Sequence, residues 1–435
     1  MQNARPGAGI PAGSLGRPAA RVVAFAAALA LTGGAAAQTG ADAGLKALQD
    51  GERLWRLKRT RSALAAFEKA AASKDSAAEA YERIGRIYLF KGSESEGIFP
   101  GWHEEAEYRE KALHAFDEAL KRAPALEAAR VGRWKALRAL GRDAGPEPAL
   151  VPPADAAPAE QIQKLRAEKK HVELIEQAHG FAARFPDSER LPAVYDALIE
   201  AYQATPATPT ETISAAIDAR IAARPDPGAY ITGANLLVSR GALDQGAKLA
   251  VALVPAAETF IDENLGSYKL AEKAEGSLNG TRATSAALTG WILFQKGDAA
   301  GAEAKLLEAE RLSRGQDFRN QLHLAELRRT KGAAKEAREG YLNALSLAGG
   351  AEAQRAAGQK ELAQLRASEG HDAAGFAAWL KGELDRRREE RRAQALGSML
   401  DRAVPKLPLT SLSGEPVDMS KLRGKVLLYK FFASW

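Results

Sequence analysis

Small and apolar residues recur along this chain at helical spacing, and the first clear instance is Gly51 and Leu54 followed by Ala63, Phe67 and Ala70. Apolar positions three or four apart share one face of a helix, so the run predicts two amphipathic helices joined by a short turn. The pattern then returns. Gly85 stands 34 residues after Gly51 with Tyr81, Ile84 and Tyr88 around it, and its second helix carries Ala112, Phe116, Ala119 and Pro124. The step from Gly85 to Ala112 exceeds that from Gly51 to Ala63 by fifteen residues, which predicts an insertion over residues 91–107. A third unit opens near Leu126 with Gly132 and Trp134 and fades at Gly141. Later, Gly297, Ala302, Leu306 and Ala309 recur as Gly332, Ala337, Tyr341 and Ala344, each displaced by 35 residues. Residues 230–254 and 286–347 read as helix pairs of the same style.

Paired helices of about 34 residues, with Gly or Ala where two helices must approach closely, resemble tetratricopeptide repeats. The expected fold is therefore mainly α, a tetratricopeptide-like α-solenoid. Its repeats would cover residues 43–141 and, in more degenerate form, residues 160–350. Between them, Gly145-Pro-Glu-Pro148 and Val151-Pro-Pro-Ala-Asp-Ala-Ala-Pro158 predict a Pro/Ala linker over residues 142–159, because proline resists helix. Residues 351–402 read as connecting helices, in which Phe376, Trp379 and Leu380 form one apolar face. The run Arg386 to Arg392 alternates in sign around Glu389 and Glu390 and predicts a solvated helix face. Solenoids of this kind offer a concave surface to protein clients. Phe99 and Trp102, in the insertion, are candidate partner contacts; the alternative is that they fold back onto the neighbouring helices.

The final stretch has a different pattern. Lys425-Val-Leu-Leu-Tyr-Lys-Phe-Phe-Ala-Ser-Trp435 is a short, aromatic, apolar run that predicts a buried strand, and one strand alone buries too little to be stable. Val404-Pro405-Lys406-Leu407, the turn Ser413-Gly414-Glu415-Pro416-Val417, the link from Met419 to Lys425 and the strand end Phe431-Phe432-Ala433-Ser434-Trp435 together resemble the opening of the thioredoxin-like domain of TlpA-type thiol-disulfide oxidoreductases. Lys430 and Phe432 depart mildly from the family pattern. The resemblance implies that residues 403–435 are the first strands of an incomplete α/β thioredoxin-like domain, and that Phe432, Ala433, Ser434 and Trp435 lie beside the active site. It also implies redox cysteines immediately after Trp435, in a longer parent that acts as a protein disulfide reductase on protein thiols and disulfides and needs no organic cofactor. The thiolate is the attacking species in that chemistry, and this chain has no cysteine, so no catalytic residue is assigned within it. The alternative function is a non-enzymatic periplasmic repeat scaffold that binds protein partners.

Composition changes the picture at the other end of the chain. Arg5, Arg17 and Arg21 precede the apolar run Val22 to Leu31 and the small residues Gly33-Gly34-Ala35-Ala36-Ala37, the pattern of a signal peptide over residues 1–37. The expectation is a secreted or periplasmic protein cleaved near Ala37, with no stable membrane span afterwards. Those three arginines supply half of the formal charge of +6, which leaves no nucleic-acid signature. Six histidines are scattered, at 103, 114, 171, 179, 323 and 371, and none falls in a metal motif. His103-Glu104-Glu105-Ala106-Glu107 lacks the second histidine of a zinc helix. His171 and His179, two turns apart, read as surface groups.

Overall fold

The computed structural model describes residues 40–93, 105–149, 152–264 and 271–397. The expectations for residues 1–37, for Phe99 and Trp102, and for residues 403–435 with Phe432, Ala433, Ser434 and Trp435 lie outside the described residues. Among those described there are seventeen α-helices and no strand. The first half comprises α1 (Gly40–Arg56), α2 (Thr60–Ala71), α3 (Ala77–Ser93), α4 (Glu105–Arg122), α5 (Glu127–Ala139), α6 (Ala156–Ala167), α7 (His171–Arg184), α8 (Leu191–Ala204) and α9 (Thr210–Ala223). There follow α10 (Pro227–Ser239), α11 (Leu243–Asn264), α12 (Ala271–Gln295), α13 (Ala299–Ser313), α14 (Phe318–Thr330), α15 (Ala334–Ser346), α16 (Glu352–Ser368) and α17 (Phe376–Gly397).

Consecutive helices pack as antiparallel pairs; the periodicity singled out Gly51, Phe67, Gly85, Phe116, Gly132, Leu306 and Tyr341 among the pairing residues, but not Gly290, Ala325 or Gly340. A methyl group added to Gly51 would sit 2.5 Å from the ring of Phe67, so α1 and α2 can close only over glycine. The same seat is made by Gly290 on α12 for Leu306 on α13, where an added methyl would meet Leu306 at 2.8 Å. In α14 the seat is Ala325, against which Tyr341 and Gly340 of α15 pack. Phe116 is shared: added methyl groups on Gly85 of α3 and Gly132 of α5 would lie 2.7 and 2.3 Å from its ring. Phe67, Phe116, Leu306 and Tyr341 are fully buried, as are Ala302, Ala309, Ala337 and Ala344. Gly297 and Gly332 take the left-handed conformation, with φ of 87° and 76°, which lets the chain reverse tightly between the helices of a pair. The described residues form an α-solenoid of paired helices.

The stack bends toward one set of helices. Helices α1, α3 and α5 touch in series, and so do α10, α12 and α14, more closely than the second helices of these pairs do. The first helices therefore line the inner, concave side. At the far end, Leu380 of α17 is buried against Tyr341, Leu345 and Leu362, with Phe376 and Trp379 packed beside it.

Curvature brings the two ends of the first five pairs together. No side chain on its own segment caps α2, which Arg59 precedes. Its exposed N–H groups are met instead by the C-terminal end of α11. Buried Glu263 accepts hydrogen bonds from the Ser62 N–H at 2.9 Å and the Ser62 hydroxyl at 2.6 Å. The Thr60 hydroxyl donates to the Asn264 side-chain oxygen at 2.6 Å, and the Asn264 amide donates to the Lys58 carbonyl at 2.8 Å. Arg61 grips both oxygens of Asp262, at 3.0 and 2.5 Å. A carboxylate at a helix N-terminus meets both unpaired donors and the positive end of the dipole. Nearby, Arg56 and Arg86 pair with Asp187 and Glu189 at 2.8 and 3.2 Å. These contacts form a polar seam: every buried apolar cluster among the described residues lies wholly before or wholly after residue 150.

Four sequence expectations are revised. The insertion placed at 91–107 is narrower, because α3 runs on to Ser93 and α4 already starts at Glu105. Helix resumes at Ala156, inside the segment expected as a linker, because Pro158 falls in the first turn where an N–H has no helical acceptor to lose. Helix α11 does not stop at Val254 but crosses Pro255 and continues to Asn264. The arginine run of α17 is only partly a solvated face: Arg386 pairs with Glu383 and Glu390, but Arg387 is buried and donates to Glu339 at 2.6 Å, and Arg391 donates to the Ser346 carbonyl at 2.5 Å.

Candidate functional site

The concave face opens into a groove of about 470 Å³ where α10, α12 and α14 line the inner side. Ile231 and Asn235 come from α10, Thr284 and Ala287 from α12, and Arg319 and His323 from α14. Gly349 and Gly350 form part of the rim, in left-handed conformations with φ of 97° and 76°. A side chain at Gly350 would collide with the ring of Phe318 at 2.3 Å, so backbone alone covers that edge. Inner-side positions of this kind are free to vary, because the seats that hold each pair together point the other way.

The groove's charge is simple. Arg319 is exposed, donates to the Asn235 side-chain oxygen and makes no ion pair among the described residues. Asp317 is engaged in capping α14, where it accepts the Asn320 N–H at 2.9 Å. His323 is neutral: burial pushes its imidazole down to about 3, and the Arg319 guanidinium opposes protonation further. Its ring stacks on Trp291 at 4.0 Å between centroids and 9° between planes, and its Nδ1 has no hydrogen-bond partner. The net result is a wall of small apolar and neutral polar groups with one exposed guanidinium, Arg319, and one carboxylate, Asp317, held at the start of α14. Such a surface suits an extended polypeptide, whose amides need donors and acceptors in alternation.

Behind the wall, the Tyr341 hydroxyl donates to Glu326 at 2.6 Å. Burial, reinforced by that carboxylate, raises the Tyr341 phenol, while the Arg329 hydrogen bond holds Glu326 below the usual carboxylate range. This pair joins α14 to α15. Of the histidines read as surface groups, His179 is hydrogen-bonded to the Tyr202 hydroxyl at 2.7 Å. Among the described residues no group of three or more His, Asp or Glu is placed to hold a metal ion, and no helix is long and apolar enough to cross a membrane. The sequence marked neither Asn235 nor Arg319. His323 was visible only as one of six scattered histidines, since its partner Trp291 lies 32 residues earlier on another helix.

No family model matches the chain, and no curated protein does. Several solved structures align with it at low identity. BtubC (BKLC) from P. vanneervenii is 18% identical over 57% of this chain and 98% of that one, with a TM-score of 0.33. The APC/C hetero-tetramer Cut9–Hcn1 is 13% identical over 78% of this chain and 72% of that one, with a TM-score of 0.28. The TPR domain of P58(IPK) is 13% identical over 76% and 99%, with a TM-score of 0.21. The assignment of helix pairs rests on the glycine seats described above, not on these superpositions.

Proposed function

We propose that this protein is a helical-repeat scaffold that holds protein partners, and that the groove between α10, α12 and α14 receives an extended segment of the partner. The observation that carries this reading is the exposed Arg319, which makes no ion pair among the described residues, beside Asn235 on a concave wall of mostly small apolar and neutral polar groups. A carboxylate of the bound segment would meet Arg319 while Asn235 and Thr284 meet its amides. Selection of peptides from a random displayed library against the full chain tests it. The selected peptides are expected to lose about tenfold or more in affinity when Arg319→Ala and Asn235→Ala are combined. Peptides bound equally by both proteins would overturn the groove assignment.

The fuller reading places these repeats outside the cytoplasm, in a parent polypeptide that also carries a thiol-disulfide oxidoreductase domain. It is supported by the signal-like pattern of residues 1–37 and by the TlpA-type pattern of residues 403–435. The repeats would hold a client whose disulfide the parent reduces. Reading the native frame beyond the codon for Trp435 decides it: a Cys-x-x-Cys within the next few codons is expected, and its absence removes the redox role and leaves the scaffold.

A further inference from the structure

The first two helix pairs have a concave face of their own, and in this structure it is occupied. Arg56 at the end of α1 and Arg86 on α3, two helices in contact, each make an ion pair. Their partners, Asp187 and Glu189, belong to one short stretch, Phe185-Pro-Asp-Ser-Glu-Arg-Leu-Pro192, between α7 and α8. The single cation of that stretch, Arg190, turns away toward Asp155 at 3.7 Å. The stretch therefore presents an acidic edge to a basic face. The fit is loose, because a crevice of about 240 Å³ remains between Arg53, Arg56 and Leu57 on one side and Pro186, Leu191 and Pro192 on the other. Contacts made largely by partly exposed ion pairs are weak and sensitive to salt. The adjoining seam, in which Asp262, Glu263 and Asn264 meet α2, keeps the stretch in place.

We propose that the face of α1 and α3 that carries Arg56 and Arg86 is a second docking surface, for an acidic protein segment held as a turn, and that the chain's own residues 185–192 occupy it in cis. A partner carrying two carboxylates spaced like Asp187 and Glu189 competes with the internal segment, and release of the seam exposes the face. This surface is separate from the groove at Arg319, so either can fail without the other.

The test uses the full chain and a fluorescent synthetic peptide, Phe-Pro-Asp-Ser-Glu-Arg-Leu-Pro, copied from residues 185–192. Two variants expose the face by different routes. Asp262→Ala, Glu263→Ala and Asn264→Ala together release the seam. Asp187→Lys with Glu189→Lys repels the internal segment without touching the cap of α2. The second variant decides the matter if the first loses α2. Either exposed form is expected to bind the peptide about tenfold or more tightly than the wild type, by relieving intramolecular competition. Binding should weaken as salt rises from about 0.05 to about 0.5 M, and it should disappear when Arg56→Glu and Arg86→Glu are added. Small-angle scattering should report a larger radius for the exposed forms. The proposal is overturned if the folded second variant binds the peptide no better than the wild type, or if binding survives reversal of Arg56 and Arg86.

Discussion

Replacing Phe116 by alanine is expected to destabilise the N-terminal repeats by about 3–5 kcal/mol, the range for emptying a fully buried aromatic site. The reason for placing it at the upper end of single substitutions is geometric. Phe116 lies between the glycines of two different helices, Gly85 on α3 and Gly132 on α5, and removing it leaves both seats empty at once. Four alanines of the buried cluster around it, Ala112, Ala119, Ala129 and Ala136, have no reach to refill the space, which leaves that to leucines such as Leu113 and Leu137. Native-state hydrogen exchange at the amides of α3, α4 and α5 measures the loss locally, which matters because stacked repeats need not unfold as one unit. A loss below about 1 kcal/mol would mean that the two seats collapse together. A double-mutant cycle sharpens the point: Gly132→Ala, which drives a methyl into the Phe116 ring, should lose most of its penalty when Phe116 is already alanine.

The second large effect is a pH dependence set by His323. Its folded-state pKa, near 3, lies below the 6.5 of an exposed imidazole, chiefly through burial and then through Arg319. As pH falls through 6.5 the unfolded chain takes up a proton that the folded chain refuses, so stability is complete above 6.5 and is lost progressively down to about 3. Between pH 7 and about 4.5 the loss should approach 2–3 kcal/mol. Carboxylates contribute their own slope, and His323→Phe isolates the histidine by preserving the stack on Trp291 while removing the titrating group. Urea denaturation of both proteins at several pH values should give curves that diverge below 6.5, with the wild type falling faster. Parallel curves would place the imidazole in water.

Helix pairing was legible in the sequence because its determinants are local and periodic. Gly51 and Phe67 are sixteen residues apart on adjoining helices, and size complementarity at that spacing is visible without coordinates, whereas Gly290, sixteen residues before Leu306, went unmarked. The later pairs, too, announced themselves through the 35-residue echo of Leu306 in Tyr341. Features that depend on distant partners were hidden. Pro255 looks like a stop, yet it interrupts only one backbone hydrogen bond in a helix whose apolar face, Ala250, Leu253 and Ala257, stays buried on both sides of it. Arg387 and Arg391 look solvated until α15 supplies Glu339 and Ser346. The groove was the least legible part. Inner-side residues of a solenoid are not constrained by the packing that creates the repeat, so nothing periodic distinguishes Asn235 or Arg319 from their neighbours.

The donated cap on α2 also has a consequence for the order of events at the ribosome. Ser62 and Glu263 are separated by 201 residues, which take about 10–40 s to synthesise at ordinary elongation rates. Throughout that interval the opening turn of α2 has emerged without the carboxylate that completes it. The pair of α1 and α2 is thus made well before α11 but finished only once α11 has emerged, and it needs shelter while it waits.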